Sequence, residues 1–135
     1  MAESSLRHAL VHMEGDVLIV TIVDTKLESE DVCAKLREEL IEVVTRAEAK
    51  KVVIDFRNVQ CASSVAFRPL LSVRRIMQQT NGRMLLCHLS SQVVQMFHAT
   101  RLLIPERPSL ATFQEQANLA AAVAELKRDD EKPGM

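Results

Sequence analysis

"VVIDFRNVQCASSVAFRPLL", residues Val52 to Leu71, is the stretch on which the fold turns. It opens as a short apolar, β-branched run that reaches an acid, Asp55. Such a run suits a strand covered on both faces, as in a parallel sheet flanked by helices. A polar link follows, then two adjacent serines, Ser63 and Ser64, and then Ala66, Leu70, Val73 and Met77 at helical spacing. Strand, link and helix in that order make half of a βαβ unit. The serines at the junction admit two readings: a reactive or modifiable hydroxyl pair, or a helix cap.

The same alternation extends in both directions. Upstream, Ala9 to Met13 can form a strand, Glu14-Gly15-Asp16 a turn, and "VLIVTIV" (Val17 to Val23) a second strand, apolar on both faces. Ser29 can cap a helix whose first turn holds Glu30 and Asp31, where the helix dipole favours negative charge. Val32, Leu36, Leu40, Val43 and Ala47 then recur at helical spacing. Downstream, Asn81-Gly82 supplies a helix stop through the glycine, and "RMLLCHL" (Arg83 to Leu89) is a further strand. Ser90 can cap a short helix through Val93, Met96 and Phe97. Leu102 to Ile104 reads as a short strand, and Pro105 and Pro108 punctuate the link that follows. Ser109 is expected to start a last helix with Leu110, Phe113, Ala117 and Ala121 inward. The expected fold is a single α/β domain over residues 1–128, with residues 129–135 a charged, flexible tail. Its sheet is small, mixed and mostly parallel, with about five strands packed against about four helices.

Composition excludes several function classes. The chain has 135 residues, 47% hydrophobic and 26% charged, the balance of a soluble globular domain. With 17 basic and 18 acidic residues the net charge is -1, so no global field draws nucleic acid. Four Phe and no Trp or Tyr leave no stacking platform for bases. Three glycines are too few for a phosphate loop or a dinucleotide fingerprint, so no nucleotide cofactor is expected. The four histidines show no ligand spacing with the cysteines, and no metal is expected either. No Gly-x-Ser-x-Gly elbow surrounds the serines. A nucleophilic Cys61, or Cys87 with His88, is weighed against a buried structural thiol, and the structural reading is preferred. No apolar run approaches the roughly 20 residues of a membrane span, and the N-terminus lacks the pattern of a signal peptide. Cys33, Cys61 and Cys87 form an odd, unpaired set that fits a reducing cytoplasm.

The central stretch resembles the signature segment of STAS domains, the sulphate-transporter and anti-sigma-factor-antagonist family. That pattern is an apolar strand ending in Asp-Leu, then x-x-Val, a short gap, and Asp-Ser-Ser/Thr-Gly-Leu opening a Leu-rich helix. Here it runs without gaps through Val52 to Leu71. "NGRMLLCHLSSQVVQMFHATRLL" (Asn81 to Leu103) is similar to the family's next strand and helix, and "SLATFQEQA" looks like its closing helix. The resemblance is loose at "VDTKLE" (Val23 to Glu28).

What the resemblance implies is a protein-binding regulator of bacterial transcription, with no enzymatic activity. Its partner is an anti-sigma factor of the serine-kinase type, released when the antagonist is phosphorylated. Carried over residue by residue, the family's Asp position falls on Ser63, its first hydroxyl on Ser64 and its usual phospho-acceptor on Val65. Its Gly falls on Ala66 and its Leu on Phe67. Asp55, Ser63, Ser64, Val65, Ala66 and Phe67 are therefore the expected partner-binding residues. Valine has no hydroxyl, so phosphoryl transfer at the usual position is chemically impossible. A phosphosite at Ser64 is the secondary reading of the serine pair, and a helix cap the favoured one. Pro69 is expected to delay or bend the helix start. The alternative role is a scaffold STAS domain in a stress-signalling or lipid-transport assembly, with homodimer formation possible in either case.

Overall fold

A computed structural model describes residues 8–100 and 113–131. Within them the chain runs β1 (Ala9–Glu14), β2 (Val17–Ile22), β3 (Lys26–Leu27), α1 (Glu30–Ala47), β4 (Lys51–Asp55) and β5 (Cys61–Ala62). A 3-10 turn (Ser64–Ala66) leads into α2 (Phe67–Gln79), followed by β6 (Arg83–Cys87), α3 (Ser91–Ala99), β7 (Glu115–Gln116) and α4 (Leu119–Glu131). The main sheet has five strands in the order β1-β2-β4-β6-β7, and only β1–β2 is antiparallel. The three apolar runs lie side by side: Val20 stands opposite Ile54, and Ile54 opposite Leu86. A second, two-stranded parallel ladder joins β3 to β5, a feature the periodicity of the sequence does not announce.

Both faces of the central strands are buried, which is why they read as mostly apolar runs without alternation. On one face Leu18, Val20, Ile54 and Leu86 pack under α1, α2 and α3. On the other, Val17, Ile19, Val53 and Leu85 meet Ala122, Val123 and Leu126 of α4.

The helices refine the expected faces. Ser29 caps α1, accepting the Val32 N–H at 3.3 Å, and Ser90 caps α3, accepting the Val93 N–H at 3.3 Å. The buried stripe of α1 is Cys33, Leu36, Leu40 and Val44. It is rotated by one residue from the expected one, because the thiol of Cys33 acts as a small apolar group and Ala47 is left exposed. At the end of α2 the left-handed residue is Asn81 (φ 59), not Gly82. Gly82 serves close approach instead: a Cβ there would lie 2.9 Å from the Lys50 carbonyl oxygen. Among the described residues the last helix starts at Leu119, after the non-helical stretch 113–118, with Asn118 Oδ1 accepting the Ala121 N–H at 2.8 Å. Phe113 is buried ahead of β7, Ala117 is exposed, and α4 continues to Glu131. The strand expected at Leu102 to Ile104, Pro105, Pro108, Ser109 and Leu110 lie outside the described residues.

Gly82→Ala should therefore destabilise the fold by about 1–3 kcal/mol, the usual range for overpacking. Asn81→Gly should be neutral or mildly stabilising, since glycine adopts that φ without strain. Urea unfolding of the two variants checks both; equal effects would mean that the close approach at Gly82 is unimportant.

Candidate functional site

The junction is built from Asp55 upward. Its carboxylate is fully buried at the end of β4. It accepts the Arg57 backbone N–H at 2.9 Å on Oδ1, and on Oδ2 it accepts Arg57 Nε at 2.8 Å and Nη2 at 2.7 Å. A buried charge needs such compensation, and the three contacts close a tight turn. Phe56 N–H donates to the Cys87 carbonyl at 2.9 Å, Asn58 Nδ2 to the Ile22 carbonyl at 3.1 Å and Gln60 N–H to the Thr25 carbonyl at 2.8 Å. The link is thus tied to the ends of the strands on either side. Ser90 Oγ, donating to the Gln60 carbonyl at 3.3 Å, brings the start of α3 to the same edge.

Ser63 arrives in an extended conformation with its N–H on the Leu27 carbonyl at 3.0 Å. It occupies the cap position of the 3-10 turn, but its hydroxyl makes no capping bond, and neither serine caps α2, whose N-cap is Ala66. The cap reading is corrected here. Backbone carbonyls take the first donors instead: Ala66 N–H goes to Ser63 O at 3.0 Å and Phe67 N–H to Ser64 O. Pro69, in the first turn of α2, has no N–H to satisfy.

The six expected contact residues divide by exposure. Asp55, Ala66 and Phe67 are buried in the free chain, where they support the junction. The Phe67 ring meets Phe97 edge-on at 5.1 Å, fixing the start of α2 to α3. Ser64 is exposed, and Ser63 and Val65 are half-buried. Val65 lines a depression of about 430 Å³ between α1 and α2, together with Glu30, Cys33, Ala34, Arg37, Arg68, Leu71 and Ser72.

A second cluster lies at the ends of β4 and β6, where Cys87 belongs to the core under α4. Asp55, Cys87 and His88 place ligand atoms within 4.8 Å of one another, a grouping that residue spacing did not reveal. These donors are already engaged. Arg57 holds the carboxylate. Burial first, and the charge of Asp55 second, push the Cys87 thiol up to about 12, which makes it a poor nucleophile. His88, in a left-handed conformation (φ 58), accepts the Leu119 N–H on Nε2 at 3.3 Å, linking β6 to the start of α4. The arrangement holds strand ends together.

The family model for the STAS domain matches residues 12–114. The chain belongs to the STAS domain family. A search of curated proteins returns no match. Among solved structures, a variant of RsbS from Moorella thermoacetica is 17% identical, with a TM-score of 0.73 over 93% of this chain and 100% of that one. A putative anti-sigma factor antagonist from Thermotoga maritima is 12% identical, with a TM-score of 0.72 over 89% of this chain and 95% of that one. A chain from a structure of the stressosome, described as a signal integration and transduction hub, is 18% identical at a TM-score of 0.65, over 90% and 99%. At such identities the likeness establishes the fold. In this STAS domain the signature segment comprises β4, the 3-10 turn and the start of α2, with Val65 in the turn.

Cys87 should make the fold sensitive to alkali. Its folded pKa is raised from the ordinary 9.0 to about 12, so the unfolded chain releases a proton that the folded chain keeps. Stability is fully present below about 9 and should be lost as the pH rises through about 12. Urea unfolding across that window should show a slope that Cys87→Ala flattens; an unchanged slope would place the titration elsewhere.

Proposed function

We propose that the chain is a non-enzymatic, protein-binding regulatory module that engages an anti-sigma factor or related serine-kinase partner through Ser63, Ser64 and Val65. The observation that carries this reading is the position of Val65. It stands on a short 3-10 turn at the carboxyl edge of the parallel strands, at the mouth of the α1–α2 depression. Open α/β sheets tend to bind at that edge. Family membership and anti-sigma factor antagonist neighbours support a protein partner. Because Val65 has no hydroxyl, the module binds without the family's phosphorylation switch. Ser64 is exposed but sits one position early, and it is left unmodified. The proposed location is the cytoplasm; among the described residues no helix is long and apolar enough to cross a membrane.

The stressosome neighbour favours a second reading, a scaffold STAS domain that uses the same edge to build an assembly. Gel filtration with a histidine-kinase-like anti-sigma factor separates the two. A discrete heterodimer supports the regulator, and homo-oligomers that ignore the kinase support the scaffold.

Incubation with such a kinase and ATP should leave the intact mass unchanged. Phosphate on Ser64 accompanied by loss of binding would overturn the assignment of Val65. Val65→Glu should weaken partner binding by about tenfold or more, roughly 1.4 kcal/mol, with the fold intact. Binding as tight as wild type would remove this surface as the contact. Ser63→Asp, Val65→Ser and Ala66→Gly together should create a phosphorylatable turn, detected as a mass increase after kinase treatment.

A further inference from the structure

The depression beside Val65 is one end of a longer groove between α1 and α2. It shares Arg37, Leu71 and Ser72 with a second hollow of about 320 Å³, which also reaches Arg75 and Ile76. Ile76 in turn lines a third hollow of about 520 Å³ near the far ends of both helices. Leu71 is 41% exposed, and it is the one helical side chain among the large exposed apolar groups of the described residues. Arg68, Leu71, Ser72 and Arg75 recur at i, i+3, i+4 and i+7, so they form one stripe along α2.

The charge of this stripe is unbalanced. Helix α2 carries Arg68, Arg74 and Arg75 and no acid, in a chain whose net charge is -1. Among the described residues, neither Arg68 nor Arg75 has a carboxylate within salt-bridge distance. On α1, by contrast, Lys35 pairs with Asp31 at 3.2 Å and Arg46 with Glu42 at 2.8 Å. Arg68 also stands in the first turn of α2, the end of the helix dipole that disfavours a cation. Helix stability does not call for these arginines.

We propose that the groove receives an acidic amphipathic segment of a partner protein. Its apolar face covers Leu71 and its carboxylates meet Arg68 and Arg75. The proposal rests on the partner-binding reading above and specifies the chemistry of that partner. An apolar centre with a charged rim is the anatomy of a protein contact. The aromatic groups that would stack nucleic acid bases are missing from the surface, since Phe56, Phe67, Phe97 and Phe113 are all buried.

The test uses a synthetic helix-forming peptide of about 18 residues, long enough to span about 27 Å, with leucines on one face and glutamates elsewhere. Its lysine counterpart, a single-stranded oligonucleotide and phosphatidylglycerol vesicles are measured beside it. The glutamate peptide should bind in fluorescence anisotropy and weaken with added salt. Its affinity should fall about tenfold or more in the double variant Arg68→Glu, Arg75→Glu, which should gain affinity for the lysine peptide. Arg68→Gln with Arg75→Gln should give an intermediate loss, and circular dichroism confirms folding of each variant. No binding of the glutamate peptide, indifference to the charge reversal, or tighter binding of the oligonucleotide or vesicles would overturn the proposal. If the reversal changes nothing while Val65→Glu still releases the protein partner, the acidic assignment fails and the docking surface stands. If the peptide swaps charge preference as expected but Val65→Glu leaves the protein partner bound, the acidic groove stands and the Val65 contact fails.

Discussion

The buried carboxylate of Asp55 is the constraint on which the site depends. It lies at the end of a central strand with no exposure, so its charge has to be met inside the protein. Arg57 meets it through backbone and guanidinium, and this bends the chain sharply away from the sheet at Phe56. The next anchors, Asn58 on the end of β2 and Gln60 on the segment before β3, carry the bend into the small β3–β5 ladder. The 3-10 turn then starts from a fixed point. Removal of Arg57 would leave a buried charge with fewer donors and would loosen the whole path to Val65.

This dependence explains what the sequence could and could not disclose. Short, mostly apolar runs at Val17 to Val23, Val52 to Phe56 and Arg83 to Leu89 read as three adjacent strands through their length and the turn residues that flank them. The serine caps at Ser29 and Ser90 are equally legible, since each oxygen acts on an N–H three residues away. Ser63 and Ser64 look the same locally and behave differently. A 3-10 turn had already supplied backbone acceptors for the N–H groups that a cap would take. The short strand Glu115–Gln116 was hidden for a related reason: its two residues are polar, and it exists only because Leu86 and Cys87 present a ladder to it. The Asp55–Cys87–His88 cluster needed the parallel register of β4 with β6, which places Asp55 opposite Cys87.

The family pattern and the bare residues contribute different things at the junction. The resemblance proposes where the functional edge lies and which hydroxyl Val65 would replace. Physical chemistry then shows why the replacement is tolerated. Val65 needs no polar partner and packs against the apolar core, while Ala66 in place of glycine has a helical φ of -68, so no glycine is required there. Pro69 falls early enough in α2 for its missing N–H to cost little. Together these features give a turn that keeps its shape without a phosphorylatable group at its centre.

On the proposed alignment, a valine at the acceptor position would shift the burden of recognition onto whatever else surrounds the groove. In a switchable binder, a phosphate of roughly -1.5 to -2 charge at this turn would repel an acidic partner and would also be attracted by nearby arginines. Here Arg37 and Arg68 line the same hollow as Val65 against one acid, Glu30, so a net positive field is not cancelled by a modification at Val65. An acidic partner segment would therefore find the groove permanently receptive, with its affinity set by ionic strength and by the partner's own charge. On this argument control of the interaction passes from the STAS domain to its partner, where acidic side chains can be masked, released or supplied in varying amounts.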